Sequence, residues 1–462
     1  MQHWVAPLYK KKSVYQPGNY RGIHLTSQLS KVVERLLKLL YYPFLSATSA
    51  FGPRQFAYTT GRGARDALAF LLLTWVSALA SGKKIAIYCS DVSGAFDRVR
   101  MTRLVAKLTQ KGVHPKLVAV LTSWLQQRSA QIVVGGTFSD EMTLFDMVFQ
   151  GTVSGPMLWN SFFEDARHAI NDCFFTEVVY ADDLNAYRIF PKTAQTVDIM
   201  RSLDNCQHEL HKWGVANQVC FDAAKESQHV ISVSEPSGDN FKLLGVPFDP
   251  ELSMVDAVSE IVSAAGWKLR TLLRTRRFYT DSDLVVLYKS HLLSYLEYRT
   301  PAIYHATRAV LCRLDAVQTR FLNDIGVDEV TALTVFRLAP LCARRDMALL
   351  GIIHRTVLGK GPDQFREFFK LEDQSMALQD PRRTSKSPLM KRSILGLIAI
   401  YNLLPARIRA AESVPIFQKG LQDFIITFAA AGFPQWSEVL SPRLPLSTHP
   451  LATFPNGCPA SS

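Results

Sequence analysis

Apolar residues recur at helical spacing through SKVVERLLKLLYYPFL (30–45), and Ser27 stands where an N-cap is needed, so a long amphipathic helix is predicted from Ser27 onward. The longest apolar stretch, Ala67 to Ala80, reads as a buried helix: it holds Thr74 and Ser77 and is too short to cross a bilayer. IAIYCS (85–90) is a short apolar run, predicted to be a buried strand that ends at Asp91. Helical patterns fill 100–128, and AQIVVGG (130–136) reads as a strand. EVVYADDLNAYRI (177–189) reads as two strands meeting at a tight turn centred on Asp182 and Asp183. An amphipathic helix is expected over 195–213, then short strands near 219–222, 228–233 and 241–247, then helices across 251–325. Residues 1–27 read as basic and turn-rich, 373–392 as a polar, basic linker, and 431–462, with six prolines, as a poorly ordered tail.

The order strand, helices, hairpin, helix, strand across 85–233 matches a split βαβ sheet with helices on one face, and the fold class expected is α+β. Such a sheet brings the end of its first strand beside the turn of its central hairpin. Asp91 and the pair Asp182–Asp183 would then converge.

Composition narrows the partner. Of 462 residues, 48% are hydrophobic and 20% charged, which suits a folded chain with several cores. The formal net charge of +12 favours a polyanion, nucleic acid before membrane. The seven cysteines are scattered with no pair at C-x-x-C spacing, which argues against a zinc ribbon or disulfide framework and for a reducing, intracellular setting. The N-terminal residues lack the apolar core of a signal peptide.

Three carboxylates in one place repel one another, and divalent cations with hard oxygen ligands remove the difficulty. Two such ions about 4 Å apart can activate a hydroxyl and stabilise a pyrophosphate leaving group, so the pattern reads as nucleotidyl transfer. Taken singly, Asp91 also reads as a helix cap near Gly94, and Asp182 and Asp183 as turn aspartates. Farther along, Lys268, Arg270, Arg274, Arg276 and Arg277 lie within ten residues without an acid. Arg270, Arg274 and Arg277 would share a helical face able to track a duplex backbone.

SDVSGAFDRV (90–99), FQGTVSGP (149–156) and YADD (180–183), in that order, resemble the central palm motifs of reverse transcriptases, nearest to those of non-long-terminal-repeat (LINE-type) retrotransposons. GNYRGIHLTSQLSKVVER (18–35) and RQFAYTTGRGARDAL (54–68) resemble the fingers motifs of that family, and SWLQQRSAQIVV (123–134) the segment between the first two palm motifs. FKLLGVPFD (241–249) resembles the primer grip, and 288–322 the thumb.

The resemblance implies a right-hand polymerase: partial fingers over 1–84, an RRM-like palm over 85–250 and a helical thumb over 251–335. A helical extension over 336–430, containing the linker, and the tail over 431–462 would follow. It implies an RNA-directed DNA polymerase that joins dNTPs to a DNA primer on an RNA template with two Mg²⁺ ions, Mn²⁺ being a possible substitute. Asp91, Asp182, Asp183 and the Val92 carbonyl would be metal ligands, and Lys225 would protonate leaving pyrophosphate. Lys10 and Arg21 would meet the triphosphate, Phe96 would exclude a ribose 2′-hydroxyl, and Gln150 and Gly151 would lie along the nucleotide. Tyr180, Leu244 and Gly245 would hold nucleic acid, as would Arg270, Arg274 and Arg277.

Gly22, Thr152 and Ser154 depart from the family pattern, which usually has proline, serine and leucine there, and Ser154 puts template positioning in question. An upstream endonuclease, a cysteine–histidine knuckle and an RNase H signature are not recognisable, so a fragment of a longer reading frame or a decayed copy is expected. Two rival readings are an RNA-dependent RNA polymerase, which Phe96 and Gln150–Gly151 oppose, and a remnant that binds RNA or DNA without polymerising. Action in the nucleus or cytoplasm is expected, with no membrane.

Overall fold

The computed structural model describes residues 2–10, 13–126, 128–145, 147–372, 377–383, 385 and 387–454. The chain divides into two compact units: Met1–Thr59 with Ala86–Arg188 and Gln195–Gln228, and Thr60–Ile85 with Ile189–Ala194 and His229–Ser462.

The first unit carries a hairpin where turns were expected. Strands β1 (Gln2–Tyr9) and β2 (Tyr20–Leu25) pair antiparallel, with Pro7 opposite Gly22. A Cβ on Gly22 would come within 3.1 Å of the Val5 side chain, so this register suits glycine. Lys11 and Lys12 of the basic run lie outside the described residues, and the strands bury His3 and His24, whose ring nitrogens meet at 2.7 Å. Next come α1 (Gln28–Ala47), which Ser27 caps by accepting from the Ser30 N–H, α2 (Ala64–Ala80) and β3 (Lys84–Asp91). After α3 (Met101–Gln110) and α4 (Pro115–Leu125), β4 (Arg128–Val134) lies parallel to β1 and pairs with the short strands β5 (Thr137–Phe138) and β6 (Met142–Leu144).

The sheet that positions the site follows α5 (Gly155–Phe163) and α6 (Ala166–Asp172). It contains β7 (Thr176–Tyr180), β8 (Asp183–Phe190) and, after α7 (Thr196–Asn217), β9 (Ser227–Ile231). Its order, β7-β8-β3-β9, is the split βαβ arrangement read from the sequence, and the fold class is α+β. Every residue of β3 is buried, as an uninterrupted apolar run requires of a central strand. Tyr180 pairs with Asp183, which leaves Ala181 and Asp182 as a two-residue turn.

The second unit is mainly helical. It contains α2, which the sequence grouping had assigned with residues 1–59. Apolar almost all round, α2 needs cover on several sides, and Trp75 packs edge-on to Phe248 at 5.8 Å while Asp66 pairs with Arg355. The expected strand at 241–247 is two, β10 (Phe241–Leu243) and β11 (Val246–Phe248), joined at Leu244–Gly245. Helix α8 (Val255–Arg274) opens the helical region.

The proline-rich stretch corrects its expectation. Up to residue 454 it folds in short turns and buries Val439, Leu440 and Leu451, because its prolines stand at turn and helix-start positions where no amide N–H is needed. Residues 455–462 lie outside the described residues, as do 373–376, 384 and 386 of the expected linker. The rest of that linker forms short helical turns with Met390 buried. Among the described residues, no helix is long and apolar enough to cross a membrane.

Candidate active site

Asp91 ends β3, only 9% exposed, and the turn between β7 and β8 brings Asp182 and Asp183 to it. The Asp91 carboxyl lies close enough to Asp183 to act on its ionisation. Burial, then repulsion from Asp182 and Asp91, pushes the Asp183 carboxyl up to about 7. Asp182 is raised by burial and by Asp91, against which Arg21 and Lys225 act. The Lys225 ammonium pairs with Asp91 and lies 3.6 Å from Asp222; its hydrogen bond to Asp91 raises its pKa. The segment carrying Lys225 is held to β3 by two backbone bonds, from Asp222 N–H to the Asp91 carbonyl and from Ser93 N–H to the Cys220 carbonyl, flanking Val92. The cap reading of Asp91 does not hold: the turn at Ala95–Arg98 has Gly94 at its N-cap and no side-chain cap bond.

Two residues that sequence reasoning missed brace the carboxylate turn. Ala181 has φ +60°, a conformation costly for a residue with a Cβ. Gln55 accepts from the Ala181 N–H at 3.0 Å, and Trp159 donates its indole N–H to the Ala181 carbonyl at 3.0 Å. Gln55 sat inside a quoted motif and Trp159 three residues past the end of another, but no spacing could show that they meet on one peptide.

The loop 149–156 is gripped just as closely. Gly151 has φ +96°, and a Cβ there would approach the His24 carbonyl to 3.0 Å. Its neighbour Gln150 accepts from the His24 N–H at 2.8 Å. The buried Glu34 carboxylate accepts from the Val153 and Ser154 N–H groups at 2.8 and 3.0 Å, and Tyr41 donates to the Ser154 hydroxyl at 2.8 Å. Ser154 is therefore partnered within the chain through both its hydroxyl and its N–H. Phe96 is half-buried and stacks on Trp159 at 5.9 Å. Lys10 lies near enough to Asp97, and Arg21 to Asp182, to oppose the rise of those carboxyl pKa values.

The remaining candidates belong to the second unit. Leu244 and Gly245 both have positive φ, 48° and 76°, as a tight hairpin turn demands, and the Leu244 carbonyl accepts from Tyr298 at 3.1 Å. The arginine stripe is shorter than expected. Helix α8 ends at Arg274, capped at Thr275, so Arg277 falls in a separate 3₁₀ turn and not on the face of Arg270 and Arg274. All three are exposed, and Arg270 lies over the Trp267 ring at 4.8 Å.

The oxygen donors of Asp91, Asp182 and Asp183 suit Mg²⁺ or Mn²⁺ in charge and hardness, and the rise of Asp182 and Asp183, caused by burial and then by neighbouring carboxylates, includes a repulsion that a divalent cation would relieve. Among the described residues no set of three or more His, Cys, Asp or Glu side chains already forms a ligand cage. Lys225 is the positive group in contact with Asp91.

The profile of the family described as reverse transcriptase (RNA-dependent DNA polymerase) matches residues 9–248. A probable RNA-directed DNA polymerase from transposon X-element of Drosophila melanogaster is 24% identical over 320 residues, covering 66% of this chain and 35% of that protein. An RNA-directed DNA polymerase from mobile element jockey of Drosophila funebris is 25% identical over 326 residues, covering 67% and 36%. The chain thus spans about a third of the length of the relatives it matches. Telomerase from Candida tropicalis, in complex with a fragment of telomeric RNA, is similar at a TM-score of 0.41 and 12% identity, covering 91% of this chain and 64% of that one, a likeness too distant to bear on function. On the match across residues 9–248, more than half its length, the chain belongs to the reverse transcriptase (RNA-dependent DNA polymerase) family.

Proposed function

We propose that this chain extends a DNA primer on an RNA template by nucleotidyl transfer from dNTPs. The observation that carries the reading is the convergence of Asp91, Asp182 and Asp183 on one sheet end, in a member of this family. Asp91, Asp182 and Asp183, with the Val92 carbonyl, would hold two Mg²⁺ or Mn²⁺ ions, which when bound supply Lewis-acid stabilisation at the attacking and leaving oxygens.

The chain's own residues do the rest. Lys225, which donates to Asp91, would give a proton to departing pyrophosphate. Arg21, near Asp182, and Lys10, near Asp97, would add positive charge for a triphosphate. Phe96, held by Trp159, presents a ring edge against the sugar, while the braced loop at Gln150–Gly151 offers backbone along the nucleotide. In this reading 85–250 serves as palm, 251–335 as thumb with Arg270 and Arg274 along the duplex, and Tyr180, Leu244 and Gly245 against the primer.

The test is Mg²⁺-dependent extension of a DNA primer annealed to RNA by the purified chain. Extension that is lost in Asp91→Asn and Asp182→Asn supports the reading; a protein that binds the hybrid and never extends it is a binding remnant. Phe96→Val should raise ribonucleotide incorporation about tenfold or more, and unchanged discrimination would remove Phe96 from the sugar.

A further inference from the structure

Trp159 touches two parts of the candidate site that the sequence holds more than eighty positions apart. Its side chain is fully buried on α5, where Phe163, one turn on, stacks against it at 4.9 Å with 20° between the ring planes. From that seat the indole N–H donates to the Ala181 carbonyl at 3.0 Å, inside the turn that carries Asp182. The same indole lies against the Phe96 ring at 5.9 Å, with the planes 27° apart.

Each end of this bridge is fixed at its backbone and aligned to the other through the indole. Phe96 stands in the 3₁₀ turn Ala95–Arg98, its carbonyl accepts from the Val148 N–H at 2.9 Å, and its ring rests on Trp159. Ala181, at φ +60°, is clasped by Gln55, which accepts from its N–H at 3.0 Å and donates to its carbonyl at 3.4 Å, where Trp159 donates too. An indole turns about only two side-chain bonds and is rigid between them, so it transmits position from one contact to the other. A ring that excludes a 2′-hydroxyl works by lack of room. Its power depends on where it stands relative to the carboxylate end of the site, and about 1 Å of misplacement in such a constellation can cost on the order of a hundredfold.

We propose that Trp159 is a positioning residue for sugar specificity: by bridging the Phe96 ring and the Ala181 carbonyl it sets the clearance that separates deoxyribonucleotides from ribonucleotides. The inference rests on the reading of Phe96 as the residue against the sugar. It adds that the clearance is set from beneath, by a buried side chain that does not itself meet the nucleotide. An indole that only filled the core would, when replaced, slow both kinds of substrate alike.

The test uses the whole chain extending a DNA primer on RNA, with kcat/KM for a dNTP and the matching rNTP measured on one preparation, so that the folded fraction cancels in their ratio. Trp159→Phe keeps a ring beneath Phe96 and removes the N–H; Trp159→Leu removes both. The preference for dNTP should fall about tenfold in Trp159→Leu and about threefold in Trp159→Phe. Added to Phe96→Val, Trp159→Leu should lower the preference no further, because the one residue acts through the other. In cation-free buffer, hydrogen exchange across 178–184 should quicken at least about threefold in Trp159→Phe, which reports the lost bond to Ala181. Unchanged preference in both single variants, additive losses in the double variant, or unchanged exchange overturns the proposal. When the parent extends primers and Phe96→Val relaxes its preference, such a result removes Trp159 alone and leaves the polymerase reading standing. A parent that never extends, or a Phe96→Val variant with unaltered preference, removes that reading and this inference with it.

Discussion

Two carboxyl groups in this protein are pushed up to about 7, one in each unit, and they mean opposite things. Asp183 lies in the first unit beside Asp182 and Asp91, so burial and like charge act together. Asp346 lies in the second, on the helix Leu341–Val357, where burial is the main cause of its rise, Glu438 adds to it, and Tyr304, Arg345 and Arg443 oppose it. Tyr304 donates to it at 2.5 Å, and the Arg345 and Arg443 guanidiniums lie close enough to favour its charge. Arg345 is itself bound bidentately by Asp315 at 2.6 and 2.9 Å. A perturbed carboxyl therefore does not identify a site. What separates the two is whether the neighbours satisfy the group or share its difficulty: a surplus of negative charge asks for something to bind, and a satisfied one holds the fold.

The contrast breaks most sharply on substitution. Asp182→Asn should cut primer extension about a thousandfold or more, several kcal/mol of transition-state stabilisation. In metal-free buffer it should not lower the melting temperature, because it removes repulsion. A variant that extends primers normally would take Asp182 out of the chemistry. Asp346→Ala should do the reverse. It leaves the buried Tyr304 hydroxyl without its acceptor and should cost about 3 kcal/mol of stability by chemical denaturation, with turnover per folded molecule unchanged.

A graded version of the same comparison uses pH. The Asp346 carboxyl is raised on folding from the ordinary 3.8 to about 7, so the protonated form is favoured in the native state. Its contribution is complete below about 3.8 and disappears as pH rises through 7. Asp346 should contribute a fall of about 2 to 3 kcal/mol between pH 5 and 8, beside that of Asp183 in the same window, and Asp346→Asn should make the slope shallower by that amount. A parent protein whose denaturation midpoint is level across this range would show that Asp346 ionises freely. The smallest effect is expected at the brace. Ala181→Gly relieves the positive φ and should change stability by less than about 1 kcal/mol, since Gln55 and Trp159 hold the backbone whichever residue stands there. A larger loss would mean that the Ala181 methyl group packs as well as bends.

Much of the site was legible because its signals are local. An apolar run ending in an acid, and β-branched residues approaching two aspartates, each describe a strand tip or a turn within ten residues. The order of elements then implied the sheet β7-β8-β3-β9. The β1–β2 hairpin was hidden because its partner, β4, lies more than a hundred positions away. The packed tail was hidden because proline counts report what the chain cannot do in a helix interior, not what a turn can bury.

What the sequence alone determined is the identity and order of the chemistry: three acids, their flanking strands, and the family they mark. Those follow from short-range pattern, where hydrophobic period and turn residues act over a few positions. Tertiary structure decided which groups are short of a partner. Ion pairing, burial and the bracing of Ala181 depend on atoms brought together from distant segments. Low-dielectric surroundings magnify those encounters, and no linear spacing records them.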